Sequence, residues 1–295
     1  MKLSLCNFKL PNGGLDPVKV SALGALVSAE AFVETGTYLG DTVDAMLGFF
    51  EKVVSIELSP ELHSKAQGRF AQKQGVQILL GNSATRIADA AKGLGGRSAI
   101  FWLDAHWSGG NTAKADENTP IVKELDSIRE FDVGQSIIMV DDLRYFIDVP
   151  TGFEVHEANH GYPLLRDLLE KVSALWPDRF VVINGDILFI FPVSIRERIE
   201  ISPVLAATHK LRSGDVTDAE RTELEAVIAG AQGEERDVLL SLPNIFSHSL
   251  LYGIGGEYLY WRSLVWEREG ALDSARADLE LARRCGRAVP MRDWE

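Results

Sequence analysis

Residues 32–59 read FVETGTYLGDTVDAMLGFFEKVVSIELS. A short apolar run ends in Glu34, the chain turns through Gly36 and Gly40, and a helical pattern follows at Val43, Met46 and Leu47. A second apolar run over 53–56 closes on Glu57. Together these make one strand–helix–strand unit with a glycine turn at its first strand end. In such a unit the first glycine permits a tight turn, the second lets a ligand approach the backbone, and a carboxylate after the second strand accepts hydrogen bonds from a ribose. The glycines here are spaced GxxxG rather than GxGxxG, so the pyrophosphate fingerprint is incomplete. The spacing suits a nucleoside ligand without phosphates.

The rest of the chain sets the bounds. With 295 residues, 46% hydrophobic and 25% charged, it can bury one large core and carry a second, smaller unit. No apolar run approaches the roughly 18–20 residues that span a bilayer, and MKLSLCNFKLPNGG is too weakly apolar for a secretory signal, so a cytoplasmic protein is expected. Cys6 and Cys285 lie near opposite ends without a CxxC partner, which suggests neither a disulfide framework nor a thiolate metal site. A formal charge of −13 without a Lys/Arg stripe argues against nucleic acid and leaves a small molecule or a protein as partner.

In chain order, DPVKVSALGALVSAE (16–30) starts a helix at Asp16 and Pro17, and Ser59 with Pro60 starts another carrying Leu62, Ala66 and Phe70. A strand over 76–80 ends in Gly81, Asn82 and Ser83; SAIFWLD (98–104) reads as a central strand. The loop that follows, through about 119, is longer than the usual connection of roughly 4–6 residues and is expected to act as a lid, with Gly109 and Gly110 letting it close. A helix from Pro120 carries Ile121, Leu125 and Ile128, and a strand over 137–140 ends in Asp141 and Asp142. A helix over about 163–176 precedes two β runs, 180–183 and 187–191, joined by the hairpin signal NGD. The pattern predicts an α/β fold: an open, mainly parallel sheet of about seven strands flanked by helices, with a terminal antiparallel hairpin.

Beyond Pro192 the composition shifts to helix formers. Two helical runs meet at Gly270, one with Leu264 and one with Ala275, Leu279 and Ala282, like a single tetratricopeptide-type pair. The expected division is a first unit over 1–195 and a helical extension over 196–295. One pair forms no solenoid, so the extension is expected to pack on the core or on a twin subunit, making a homo-oligomer, rather than to form a peptide groove.

Two strand ends carry the chemistry: Asp104 in LDAHW, and Asp141 with Asp142 in VDDL. Ligands of open parallel sheets lie outside the carboxyl ends of the strands, and if these two strands pair, three carboxylates converge. Three carboxylates in one crevice repel unless a cation or protons neutralise them, and a hard divalent ion meets that need. Neighbouring strand residues point to opposite faces, so Asp141 and Asp142 can share an ion only if the chain has already left extended geometry there. Trp102 and Trp107 are expected to pack in the core and the lid. His156 and His160 are assigned at most to a substrate-side loop.

The 32–59 segment resembles the cofactor motif of class I S-adenosylmethionine-dependent methyltransferases, and the likeness extends over about 16–195. It implies a Rossmann-like methyltransferase fold, with Glu34 near the methionine amino end, Gly36 and Gly40 lining the turn, and Glu57 on both ribose hydroxyls. Asn82 or Ser83 would border the adenine, or else be plain turn formers; Tyr38 would abut the cofactor, or be a plain turn aromatic. The two acidic strand ends resemble metal-dependent O-methyltransferases of the catechol type and, more closely, those that methylate sugar hydroxyls. That resemblance implies Asp104, Asp141 and Asp142 as ligands of Mg²⁺ or Mn²⁺, with Asp104 also beside the cofactor. The acceptor would be a hydroxyl of a sugar or other polyhydroxy small molecule. His106 stands where the sugar enzymes are expected to carry an acidic base, and a pKa of about 6.5 suits it to accept a proton, or else it is a plain loop histidine, as Asp142 alone would be a cap for the segment after its strand. Metal-free methyl transfer to another nucleophile and a non-catalytic scaffold are the alternatives.

Overall fold

The computed structural model of the chain describes residues 2–5, 8–10, 14–105, 119–131, 133–146, 161–184, 186–212, 216–233, 235–237, 239–240, 254–284, 289 and 291–292. After a two-residue strand, β1 (Leu3–Ser4), comes α1 (Pro17–Leu26). Asp16 caps α1 by accepting from the Val18 and Lys19 amides, and Pro17 takes a first-turn position whose amide would have no helical partner. The 32–59 unit then forms β2 (Ala31–Thr35), α2 (Asp41–Met46) and β3 (Lys52–Glu57). It is followed by α3 (Pro60–Phe70), capped by Ser59, and by β4 (Val76–Leu80). Next come α4 (Ser83–Lys92), β5 (Ala99–Leu103), α5 (Ile121–Arg129), β6 (Ile137–Val140), α6 (Leu165–Leu175), and the hairpin β7 (Arg179–Asn184) with β8 (Ile187–Pro192).

Seven strands form one sheet in the order β4-β3-β2-β5-β6-β8-β7. Only β8 breaks the parallel arrangement, pairing antiparallel with both β6 and β7. This is the open, mainly parallel sheet with a terminal hairpin that the sequence predicts. Its strands are apolar on both faces, as buried parallel strands must be. Ala31, Val33, Phe101, Leu103, Ile138 and Val140 face one core, while Phe32, Ile100, Trp102, Ile137 and Met139 face the other, so the two-residue period sorts each strand between two layers. Helices α1 and α3 cover the Phe32 side; α4, α5 and α6 cover the Val33 side. Trp102 is a core residue, as expected.

Helix α4 and the short strands β1 and β9 (Ile199–Glu200) have no counterpart in the sequence reading. Helix α4 buries Ala84, Ile87, Ala90 and Ala91, which recur at helical spacing and form one apolar face against the sheet. Strand β1 pairs in parallel with β9, which ties the start of the chain to the segment after the hairpin.

The C-terminal part contains α7 (Pro203–Arg212), α8 (Asp218–Ala229), α9 (Ile254–Arg268) and α10 (Leu272–Arg284). A reciprocal capping box between Thr217 and Glu220 starts α8. Gly270, at φ +78°, makes the turn between α9 and α10, where Ala275, Leu279 and Ala282 are fully buried. Arg262 on α9 grips both carboxylate oxygens of Asp278 on α10 at 2.7 Å. Leu259, Tyr260, Trp261 and Leu264 join the same apolar cluster as the Val33 face of the sheet, so these helices pack on the core. Among the described residues no helix is long and apolar enough to cross a membrane.

Candidate active site

From β2 the sheet grows outward through β3 and β4 on one side, and from β5 through β6 on the other. The strand order therefore switches between β2 and β5, and the carboxyl ends of these strands are where ligands of open α/β sheets bind. Gly36 stands there with φ +88° and is exposed; a Cβ at this position would lie 2.8 Å from the Asp104 carbonyl oxygen. Gly40, at φ +82°, donates to the Thr37 carbonyl and caps α2, and a Cβ there would meet the Phe70 ring at 2.7 Å. Both glycines are thus required by backbone conformation and by close approach.

Glu57 ends β3 with its two oxygens held separately. The Tyr38 amide donates to Oε2 and the Ser59 amide to Oε1, each at 2.8 Å. Tyr38 is half exposed in the left-handed region at φ +48°, so the turn presents its ring outward and its amide inward. Glu34 is 1% exposed and accepts from Ser55 Oγ at 2.6 Å, and Thr37 contacts the same hydroxyl. Burial pushes the Glu34 carboxyl up to about 8, so it is neutral below that pH. Asn82 caps α4 by accepting from the Ala84 amide, and Ser83 is buried in the first turn of that helix.

Strands β5 and β6 do pair, and the Asp141 amide donates to the Leu103 carbonyl. Asp142 adopts φ +59°, ψ +41°, a left-handed conformation rare outside glycine. This is the departure from extended geometry that lets neighbouring carboxylates face one way. Asp104, Asp141 and Asp142 each bring an oxygen within 4.8 Å of the others. A cavity of about 10 Å³, room for roughly one water, is lined by these three together with Glu124 and Tyr162.

Four residues of this site escaped the sequence reading. Thr35 Oγ1 accepts from the amides of Asp104 and Ala105, both at 3.1 Å, and so fixes the end of β5. Glu124 is 1% exposed, and burial pushes it up to about 7 against hydrogen bonds from Ser83 and Thr35. Its Oε1 has no partner among the described residues. Glu124 follows Ile121 by three positions, on the buried stripe of α5, and a carboxylate on an apolar stripe was the available signal. Asp186, assigned to the hairpin turn, is 2% exposed beside Asp141 and Asp142.

The fourth is Lys9. Its Nζ lies 2.5 Å from Asp141 Oδ1 and 3.9 Å from both Asp142 Oδ1 and Asp186 Oδ2. The approach is fixed by the backbone: Lys9 bridges to Leu15, the Asp16 amide donates to the Phe8 carbonyl, and the Phe8 ring packs edge-on against Phe189 at 5.1 Å. Burial disfavours the charged ammonium, but Asp141, Asp186 and Asp142 together outweigh it and hold Lys9 protonated. Burial likewise pushes the Asp141 carboxyl up against the pull of Lys9. The charge on Lys9 is the firmer of the two, because several carboxylates face one ammonium. Nothing in MKLSLCNFKLPNGG marks this lysine, since its role depends wholly on where the chain returns.

His106, Trp107, Gly109, Gly110, His156 and His160 lie outside the described residues, as do Cys6 and Cys285.

No protein-family model matches the chain, and no curated protein matches it. Among solved structures, it is similar to a methyltransferase of Podospora anserina crystallised with SAH, at 14% identity and a TM-score of 0.42, over 60% of this chain and 77% of that one. It is also similar to an O-methyltransferase of Bacillus cereus in complex with SAH, at 14% identity and a TM-score of 0.42, over 62% of this chain and 84% of that one.

Proposed function

We propose that the chain is an S-adenosylmethionine-dependent O-methyltransferase acting on a hydroxyl of a sugar or other polyhydroxy small molecule, with Asp104, Asp141 and Asp142 as the seat of a divalent ion, Mg²⁺ or Mn²⁺. The observation that carries the reading is the adjacency of two features at one switch point. An exposed glycine turn with a fixed carboxylate, Gly36 and Glu57, stands beside three converging carboxylates.

The residues have plain tasks. Glu57, oriented by two amides, offers its remaining lone pairs to a ribose, and Gly36 and Gly40 keep the turn open to a nucleoside. Tyr38 would lie along its outer edge, and Asn82, after β4, is assigned to the adenine side; Ser83 is buried beside it and bonded to Glu124. Glu34, neutral and tied to Ser55, braces the turn from beneath. Thr35 fixes the β5 end so that Asp104 faces the crevice. Bound there, S-adenosylmethionine would supply an electrophilic methyl group for a hydroxyl oxygen. A divalent ion at the carboxylates would make such a hydroxyl more acidic and hold it in place. The donor set suits a hard ion: all ligands are oxygens, gathered in one cavity by the turned backbone of Asp142. His106, two residues beyond Asp104, is assigned the task of accepting the hydroxyl proton. The sugar-type acceptor rests on the likeness of LDAHW and VDDL to sugar O-methyltransferases.

The ion pair between Lys9 and Asp141 favours a second reading, in which methyl transfer proceeds without a metal. One experiment separates them. Purified protein is incubated with labelled S-adenosylmethionine and a panel of sugars and catechols, with EDTA or with added Mn²⁺. Label transfer that EDTA abolishes supports the first reading, label transfer indifferent to EDTA supports the second, and no binding of the cofactor at all contradicts both.

A further inference from the structure

The carboxylate cluster already holds a cation of the protein's own. Lys9 is delivered to it by a segment anchored at both sides: Leu3 and Ser4 pair with β9, Leu5 and Phe8 are buried in the core on the Phe32 side, and Leu15 returns the chain to α1. Its side chain is only 15% exposed, and its ammonium shares Asp141 Oδ1 with the Asp142 amide, which donates at 2.7 Å. An oxygen so engaged has little left for a metal ion. Asp104 and Asp142 each bring an oxygen within 4.8 Å of that of Asp141, so an ion shared by the three would sit against the group that Lys9 already holds. On the other wall of the cavity, Glu124 adds an oxygen that is buried and without a partner among the described residues. Among the described residues, Lys9 therefore holds the Asp141 side of the cluster, and the Glu124 oxygen lines the cavity beside it.

We propose that Lys9 and a divalent ion are alternative occupants of this cluster: the ion takes its full set of carboxylates only by displacing the Lys9 ammonium from Asp141. This rests on the reading of Asp104, Asp141 and Asp142 as an ion site. Its physical basis is that both cations seek the same oxygen in a space of low dielectric, where two positive charges within contact distance repel strongly. The N-terminal segment then acts as a tethered competitor that keeps the carboxylates neutralised and ordered when no ion is present.

The test is titration of Mn²⁺ into wild-type protein, Lys9→Met and Lys9→Arg, followed by calorimetry and by the paramagnetic resonance signal of free Mn²⁺. Thermal melts with EDTA or Mn²⁺ accompany it. Lys9→Met keeps the length of the side chain and removes its charge, so it should bind Mn²⁺ about tenfold or more tighter than wild type. Lys9→Arg, which keeps the charge, should stay as weak as wild type. In EDTA the Lys9→Met protein should melt below wild type, and Mn²⁺ should raise its melting temperature by more than it raises that of wild type. Equal or weaker Mn²⁺ affinity in Lys9→Met would overturn the proposal. So would a Lys9→Met chain that stays unfolded with Mn²⁺ present, because the ion would then be no substitute for the ammonium. If none of the three proteins binds Mn²⁺, the ion site itself is refuted and the competition with it. S-adenosylmethionine titrated into the same samples reports separately on the methyltransferase reading, which survives either result.

Discussion

Gly36 and Asp104 meet backbone to backbone across β2 and β5: a Cβ on Gly36 would lie 2.8 Å from the Asp104 carbonyl oxygen. That separation is too short for any side chain, and φ +88° adds a conformational cost of about 1–2 kcal/mol for a non-glycine residue. Gly36→Ala is therefore expected to lower stability by at least that amount in urea unfolding. It should also weaken S-adenosylmethionine binding by about tenfold or more, because relieving the clash displaces the turn that lines the crevice.

Glu34 and Glu124 make stability depend on pH in a direction opposite to that of paired surface carboxylates. Both are pushed up by burial, to about 8 and about 7, from an ordinary value of 4.5. The folded state holds protons that the unfolded chain releases near 4.5. The contribution of these groups is thus fully present below that pH and is lost as pH rises through 7 and 8. At about 1.4 kcal/mol per pH unit, Glu34→Gln should gain on wild type by on the order of 2–4 kcal/mol between pH 5 and pH 8, and Glu124→Gln by somewhat less. Urea unfolding of the three proteins at both pH values checks this, and parallel stability profiles would contradict it.

Most of the fold was legible in the sequence because its signals are local. Apolar runs bounded by glycine, acidic and turn residues gave all seven strands of the main sheet within a residue or so, and NGD gave the hairpin joining β7 and β8. Asp16 and Ser59 announced their helices as caps. Helix α4 was missed although Ala84, Ile87, Ala90 and Ala91 recur at helical spacing and Asn82 stands at its cap, so its signal was available in the sequence. The site was legible where one motif carries it: the Gly36 turn, Glu57, and the acidic strand ends. Lys9, Asp186 and Thr35 were not, since their neighbours in space are distant in sequence and nothing local announces the contact. The left-handed backbone at Asp142 was identifiable as a requirement of the chemistry, though no residue type forces it.

Arg262 and Asp278 clamp α9 to α10 with two short hydrogen bonds at 2.7 Å in a largely buried setting. Removing one partner strands the other charge, a loss of about 3–5 kcal/mol for a buried pair. Asp278→Ala is expected to destabilise the chain by that order in urea unfolding. Replacing both residues by apolar ones of similar size, Arg262→Met with Asp278→Leu, should recover much of the loss. A single variant as stable as wild type would show that the pair does not hold these helices.

The claim on which the functional reading depends is that the Gly36 turn and Glu57 bind the nucleoside of S-adenosylmethionine. Calorimetric titration of the cofactor into wild type and Glu57→Ala, each confirmed folded by circular dichroism, tests it most directly. Saturable binding of one cofactor per chain to wild type, weakened about tenfold or more in Glu57→Ala, is the expected result. Wild type that gives no binding heat at any temperature tried, or a Glu57→Ala protein that binds as tightly as wild type, would contradict it.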